Sequence, residues 1–540
     1  MELDTGEWLV DDYGVRKQYE DEIACPHPIW PVERLKNIDT GEMKVRIAFR
    51  RGTGGRRLFQ TILTDFDTVA NAKNIVSLAR VGISVTSGRR AQNLVDYIAD
   101  VMDLNYDRIP ETKSVSRMGW NDEGFAPYVE DVVFDGNANF ADTFEAIRPR
   151  GSYDAWKEEA SACRRYSVAA RLVLAASFAS PLVGPLGCLP FFVHLWGMDS
   201  GTGKSVAQML AASVWADPVI GGRYYKTFKA TSTGFEIVAG FLNSLPVIID
   251  ELQLAKDSRG RINFNVYELA AGSGKLRSNK ALGLVTAPTW SNCFITSGET
   301  PLVGENDGAG AMNRVVDIEC KAAQRAVRDG HRTAGILKAN YGHAGKEFIS
   351  LLSLPGSMDS AHTMYEAYYE ECLKNDTTEK QAQAAALLLT GDALATFLIF
   401  REKDPLKPED VAEFLKSKER VSAAERGYNY MCDWVSLNAD RLQGHPVNGV
   451  VYGLIEEDRS TLTTWAYIIR AVWNDACKEA GISSPALLSH LKSRDLIRTR
   501  GKAMTVNKRI NKIPTECVAL KLPQETFEEL DDDAQIPFPE

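Results

Sequence analysis

Over the first 150 residues, short runs alternate between apolar and polar positions, as at 44–49 and 58–63. The stretch 116–129 (SRMGWNDEGFAPYV) has the composition of a strand, a turn and a second strand. The pattern predicts a mixed, strand-rich domain over 1–150. Between 75 and 102 the apolar positions fall at helical spacing, which predicts a helix pair. From 151 the pattern changes to helix, strand, helix, with buried strands expected at FFVHLWG, LPVIID, NCFIT and RVVDIE. Such alternation marks an α/β layer around a parallel sheet, here over 151–344. Residues 172–198 contain no Asp, Glu, Lys or Arg, but Pro181, Gly184, Pro185, Gly187 and Pro190 interrupt them. A buried helix, a turn and a buried strand therefore fit better than a membrane span, which needs about 20 apolar residues.

Beyond about 340 the spacing is helical, giving a helical region over 345–444, where Ser422 and Glu425 form a capping-box pattern. Residues 445–450 (HPVNGV) read as a linker. In the last folded piece, 451–522, residues 473–514 read as a helix, a turn at Gly481, a second helix from Ser484 and two strands around a basic turn. That is the plan of a winged helix. An acidic tail closes the chain at 523–540, with seven acids and no base.

A length of 540 residues corresponds to roughly three to four domains. With 44% hydrophobic and 25% charged residues, a mostly disordered or collagenous chain is excluded. The net charge of -10 carries no overall nucleic-acid signature, so any such site is local. The nine cysteines are scattered without a CxxC pair, and no histidine pairs with Cys or acid at metal-ligand spacing. Reduced thiols and no structural metal are expected. The acidic start, MELDTGEWLVDDYG, lacks the features of a signal peptide, which makes the expected location cytoplasmic, with no membrane partner.

The strongest chemical motif is GMDSGTGKS at 197–205, directly after an apolar strand and before a helical run. A loop free of side-chain obstruction lets backbone N–H groups face a phosphate; Gly201 and Gly203 supply that space, and Thr202 between them is a further cofactor-binding candidate. Lys204 is placed to reach the β- and γ-phosphates of ATP, and the Ser205 hydroxyl to hold Mg²⁺. Gly197 stands one residue earlier than in the pattern GxxxxGK[ST], so this loop is one residue longer. Forty-six residues after Lys204, LPVIIDE ends in Asp250, a second magnesium holder, and Glu251, a base for the attacking water. A third strand, NCFITSGE, follows Asp250 by forty-six residues at Thr296, and either Thr296 or Ser297 is a candidate for contacting the γ-phosphate. Arg314, after the glycine-rich 308–311, is expected to be exposed, either in a surface salt bridge or as a finger reaching a neighbouring subunit's nucleotide.

In this order, 197–205, 245–251, 292–299 and Arg314 resemble the Walker A, Walker B, sensor and arginine-finger elements of an AAA+ ATPase. More narrowly, VHLWGMDSGTGKS, LPVIIDELQ, TSGE and AMNRVVDI resemble the ATPase domain, long labelled as of unknown function, in replication proteins of phages, prophages and mobile elements. Its staphylococcal-cassette members are MCM-like, self-loading replicative helicases. The resemblance is specific over 151–344. It implies a P-loop core, ATP and magnesium as fuel, and a homohexameric ring on DNA. In MCM-like and superfamily III helicases an insert between Walker B and the sensor strand grips DNA. Here GSGKLRSNKALGL holds Lys275, Arg277 and Lys280 at that place.

A second basic region runs from 477 to 515, with nine Lys or Arg against two acids. Lys492, Arg494, Arg498, Arg500 and Lys502 are its candidate duplex contacts, since phosphate attraction is the natural use of such a patch. His343 and Lys346 fit either a second sensor or a plain helix surface. The tail stretch DDDAQIPF resembles the acidic tip of bacterial single-strand-binding proteins, which implies a host replication partner; a tail competing with DNA for the winged helix fits the same charges. The expected protein is an α/β, AAA+ helicase with a strand-rich N-terminal domain, a helical region and a C-terminal winged helix. The alternative is an AAA+ ATPase that remodels or regulates a protein.

Overall fold

A computed structural model describes residues 3–19, 22–51, 59–227, 231–251, 264–278, 284–285, 287–304, 308–445, 449–501 and 503–523. They fall into two compact units, the first made of 1–302, 314–375 and 380–415, the second of 303–313, 376–379 and 416–540.

The first unit opens with a five-stranded sheet in the order Val132–Phe134, Glu111–Val115, Ile29–Asn37, Met43–Arg50, Phe59–Asp65. The last three form an antiparallel meander, and the first two lie parallel to Ile29–Asn37 and to each other. Helix Arg89–Leu104 carries Leu94, Ile98 and Val101 at i, i+4, i+7 spacing, and they meet Val45, Ile47 and Phe49 of the sheet in one core. Each such side chain stabilises the fold by about 1.5–3 kcal/mol through burial. Tyr97 keeps its hydroxyl satisfied there by donating to the Ile29 carbonyl at 2.7 Å. The helix pair expected between 75 and 102 is a 3₁₀ segment, Ile75–Val81, followed by this helix. The expected hairpin is present as Gly119–Asn121 against Gly124–Ala126.

The second sheet of this unit is entirely parallel, in the order Lys226–Thr227, Val247–Asp250, Cys293–Gly298, Phe191–Trp196, Val315–Glu319. Its central strands read as continuous apolar runs because helices cover both faces. Parallel strands also present all their C-terminal ends along one edge, where the loops after them converge.

Helix Glu379–Leu394 closes this part. The run Glu379–Phe400 is long and apolar enough to cross a membrane, yet 83% of its most apolar window is buried inside the structure. It carries Asp392, 1% exposed, which accepts from Arg171 Nε at 2.9 Å, Arg171 Nη2 at 2.8 Å and Arg164 Nη2 at 3.1 Å. Gly391 lies so close to the preceding helices that a Cβ there would stand 2.7 Å from the Ala175 carbonyl oxygen. The unit boundary therefore falls at 415/416, inside the 345–444 region that the sequence presents as one helical domain. The ion pairs that tie Asp392 to the first unit join residues more than 200 positions apart.

The second unit is an antiparallel sheet ordered Gly453–Asp458, Thr463–Ile469, Ile513–Lys521, Ile497–Arg498, with Val506–Ile510 also pairing to Ile513–Lys521. Helices Ala423–Leu437, Arg470–Glu479 and Ser484–Ser493 pack on it through Met431, Val435, Trp473, Leu487, Leu491 and Val518. Ser422 caps the first helix by accepting from the Glu425 N–H at 3.2 Å. Gly481 ends the second with φ +67°, letting Ile482 N donate back to the Cys477 carbonyl at 2.8 Å. The hairpin turn at Asn511 and Lys512 has φ 49° and 65°, the left-handed pair that suits the twist of two adjoining strands.

Candidate functional site

The strand Phe191–Trp196 ends in the loop 197–203, and helix Lys204–Ser213 starts behind it. Gly201 and Gly203 have φ +71° and +87°, values glycine adopts at no steric cost. A Cβ on Gly203 would stand 2.8 Å from Val327 N, and one on Gly197 2.4 Å from the Cys320 carbonyl oxygen. The segment after the last strand clamps this loop: Ala326 N donates to Thr202 O at 2.8 Å and Ala322 N to Asp199 Oδ2 at 3.0 Å. Lys204 Nζ folds onto the loop, donating to the carbonyls of Gly197 at 2.8 Å and Asp199 at 3.1 Å.

Facing the loop, Asp250 ends its strand 4% exposed. Its Oδ1 accepts from Ser205 Oγ at 3.3 Å, from Glu251 N at 3.1 Å and from Ser297 Oγ. Glu251 is exposed and has φ +65°, a conformation that costs a non-glycine residue roughly 1–3 kcal/mol. The turn takes its carboxylate off the strand axis to line the cleft. That cleft has a volume of about 370 Å³ and is walled by 197–206, Asp250, Glu251, Ser297, Gly298, Glu299 and Gly330.

Successive residues on a strand point to opposite faces. This sends the two candidates on Cys293–Gly298 to different surroundings. Ser297 reaches Asp250, whereas Thr296 is buried, turned away, and hydrogen-bonded to His194 Nδ1 at 2.8 Å.

Two residues that sequence reasoning missed fix the spacing of these strands. Gln208 donates to the carbonyls of Ile249 at 2.9 Å and Ile295 at 3.1 Å, and accepts from Tyr225 OH at 2.8 Å. Burial first, and the Asp250 carboxylate second, push the Tyr225 hydroxyl far above its usual range, so it stays a donor. A polar residue inside an otherwise apolar helical face was the available signal.

Arg314 is 8% exposed, contrary to the expectation from its glycine-rich flank, because its guanidinium lies over the Tyr267 ring at 4.9 Å. Its carbonyl accepts from Phe192 N at 2.8 Å, which holds it at the N-terminal edge of the sheet. The loop 197–203 is at the opposite edge, about one five-residue strand or roughly 17 Å away. His343 is likewise outside the cleft, with Nε2 at 3.1 Å from the Gly151 carbonyl oxygen.

Of the basic candidates, Lys275 is exposed and pairs with Glu268 at 3.1 Å. Arg277 lies on a short hairpin, Arg277–Ser278 against Leu284–Val285, while Lys280 is outside the described residues. In the second unit Arg494 pairs with Glu425 at 3.3 Å, and Arg498 with Asp458 at 2.5 Å while lying over Trp465. The acids responsible lie outside the 477–515 window, so these two charges are neutralised locally. Lys492 and Arg500 form no ion pair among the described residues, and Lys502 and the tail from 524 lie outside them.

No curated protein matches the chain in sequence. Among solved structures, the chain is similar to one titled "SCCmec type IV Cch - active helicase", with TM-score 0.68 and 15% identity, over 97% of this chain and 98% of that one. A second, the apo A form of the NrS-1 C-terminal region, aligns over 92% of this chain and 96% of that one at 10% identity, with a TM-score of only 0.28. The model of the Cch helix-turn-helix domain matches residues 422–525, so the second unit contains that domain. The model described as a domain of unknown function, DUF927, matches residues 2–287. It takes in the N-terminal sheet as well as the strand Phe191–Trp196, whereas the resemblance read from the motifs covers 151–344. With that match covering more than half of its residues, the chain belongs to the DUF927 family.

Proposed function

We propose that this chain is an ATP-driven DNA helicase of the AAA+ type, acting as a homohexamer in replication of a phage or mobile element. One observation carries the reading: Lys204, Ser205, Asp250, Glu251 and Ser297, spread over nearly 100 positions, converge on one cleft at the C-terminal edge of a parallel sheet. The strand order supports it. The phosphate-loop strand lies between the strand bearing Ser297 and the last strand, away from the strand bearing Asp250.

Ser205 Oγ and Asp250 Oδ1, 3.3 Å apart, are hard oxygen donors of the kind magnesium takes, so the residues present fit it. Bound there, the ion would supply charge neutralisation for the transferring phosphate. Lys204 exchanges its loop carbonyls for phosphate oxygens. Glu251, exposed at the cleft, takes the proton of the attacking water, and Ser297 holds the Asp250 carboxylate in place. Arg314, at the far edge of the sheet, acts on the nucleotide of a neighbouring subunit. Lys275, Arg277 and Lys280 grip DNA within the ring, and the helix-turn-helix unit, with its basic hairpin as a wing, meets duplex through Lys492, Arg500 and Lys502. The fold likeness to a chain titled an active helicase supports this assignment.

A second reading, an ATPase that remodels a protein, draws on the neutralised Arg494 and Arg498, which leave the helix-turn-helix unit less basic than its sequence. ATP turnover measured with and without single-stranded DNA separates the two. The helicase reading expects DNA to raise turnover several-fold, and an unchanged rate at saturating DNA overturns it.

A further inference from the structure

Residues 43–95 hold ten Lys or Arg (44, 46, 50, 51, 56, 57, 73, 80, 89, 90) and two acids (65, 67), although the first 150 residues together carry 19 bases and 25 acids. Part of this surplus is neutralised. Lys44 pairs with Asp65 at 3.7 Å, Arg46 with Glu33 at 2.6 Å, Arg50 with Asp12 and Arg89 with Glu22. Arg51, Arg80 and Arg90 are exposed and form no ion pair among the described residues.

The fold brings Arg51 to the segment that runs from Arg80 to Arg90. Arg50 N donates to the Pro28 carbonyl at 3.1 Å, which seats Arg51 beside His27. His27 Nε2 in turn accepts from Ser84 N at 2.9 Å, and the Ser84 carbonyl accepts from Cys25 Sγ at 3.5 Å. Ser84 lies in the turn that joins Arg80 to Arg90. Burial raises the Cys25 thiol to about 11, and among the influences opposing that rise are the positive charges of both Arg51 and Arg90.

Helix Arg89–Leu104 is charged against its own dipole at both ends, with Arg89 and Arg90 in the first turn, no acid there, and Asp103 in the last. Cations at a helix N-terminus destabilise it. Local choices that oppose the fold mark places where function sets the sequence. Beside the patch, Phe59 is 56% exposed, with the Arg50 guanidinium 5.2 Å above its ring. Exposed aromatics among arginines are the composition of a strand-tracking surface.

We propose that Arg51, Arg80 and Arg90 form a DNA-backbone contact on the N-terminal sheet, separate from the Lys275 hairpin and from the helix-turn-helix unit. This rests on the reading of DNA as the substrate. The contact reads phosphates and not bases, so it engages any sequence and its strength falls with salt.

The test is fluorescence anisotropy of the full chain on a forked duplex over a salt series. Variants are Arg51→Glu/Arg80→Glu/Arg90→Glu, the milder triple Gln variant, and a control, Lys338→Glu/Lys374→Glu. The triple Glu variant is expected to bind more weakly and to lower the slope of log K against log salt by about 2–3, as loss of three phosphate contacts requires. Its thermal unfolding temperature should equal or exceed wild type, because Glu suits the first turn of that helix. The triple Gln variant should show a smaller loss in the same direction, and the control should keep the wild-type slope. Wild-type affinity and slope in the Gln variant, or an equal loss in the control, overturn the proposal alone. A wild type that binds no fork overturns both it and the helicase reading.

Discussion

Removing the carboxylate of Asp392 should unfasten helix Glu379–Leu394 from the helices that precede the strand Phe191–Trp196. The carboxylate takes five hydrogen bonds: three from Arg164 and Arg171, one from Thr396 Oγ1 at 3.3 Å and one from Leu406 N at 2.7 Å. Its side chain and that of Arg164 are each 2% exposed, so neither charge is hydrated. Glu402 remains to Arg164 at 2.9 Å, but among the described residues Arg171 keeps only the Asp404 carbonyl. Breaking one side of such a buried pair costs about 3–5 kcal/mol because the other charge stays buried. That is a factor of hundreds to thousands in the closed-to-open ratio. Asp392→Asn keeps the volume and one acceptor oxygen and should lose less. Arg165→Ala removes a rim cation, 66% exposed, that also pairs with Glu402, and should cost under about 1 kcal/mol. Hydrogen exchange of peptides covering 379–394 reads the opening free energy directly. If Asp392→Ala lowers it by no more than Arg165→Ala does, the network is not what holds this helix.

Three further outcomes are expected. Ser297→Ala should cut ATP turnover at least about tenfold while leaving stability nearly unchanged, whereas Thr296→Val should keep turnover and lose about 1–3 kcal/mol by stranding His194; steady-state kinetics and urea melts check both. The N-terminal sheet should weaken in acid. Burial lowers the His27 pKa, with the Arg51 charge adding to it and the Pro28 carbonyl opposing it, so its contribution is complete above about 6.5 and fades as pH falls through the folded value. His27→Gln should flatten that slope in melts between pH 7 and 5. Arg314→Ala should bind nucleotide without turning it over, and mixing with Lys204→Ala should restore activity by building one sound interface from two defective partners; mixed rings that form yet stay inactive at every ratio count against action in trans.

What the sequence revealed follows the range of the forces involved. Continuous apolar runs announce strands buried on both faces, and FFVHLWG, LPVIID, NCFIT and RVVDIE all lie in one sheet. Glycines at 201 and 203, followed by Lys204 and Ser205, are a local requirement and were legible in place. The edge strand Lys226–Thr227 was not, since two residues carry no period. Distant pairings were equally hidden. Nothing near Arg498 or Lys508 foretells their ion pairs with Asp458 and Glu456, which lie on a strand not adjacent to theirs. Nor does the flank of Arg314 announce Tyr267. The choice between Thr296 and Ser297 needed the strand's orientation, because both of its faces are buried and alternation left no polar side to read.

Strand displacement from a forked duplex tests the central claim most directly. Wild type with ATP and magnesium should unwind the fork, Lys204→Ala should neither bind ATP nor unwind, and Glu251→Gln should bind ATP without hydrolysing it and leave the fork intact. Unwinding that persists in Glu251→Gln, or a wild type that hydrolyses ATP but never separates the strands, would contradict the account.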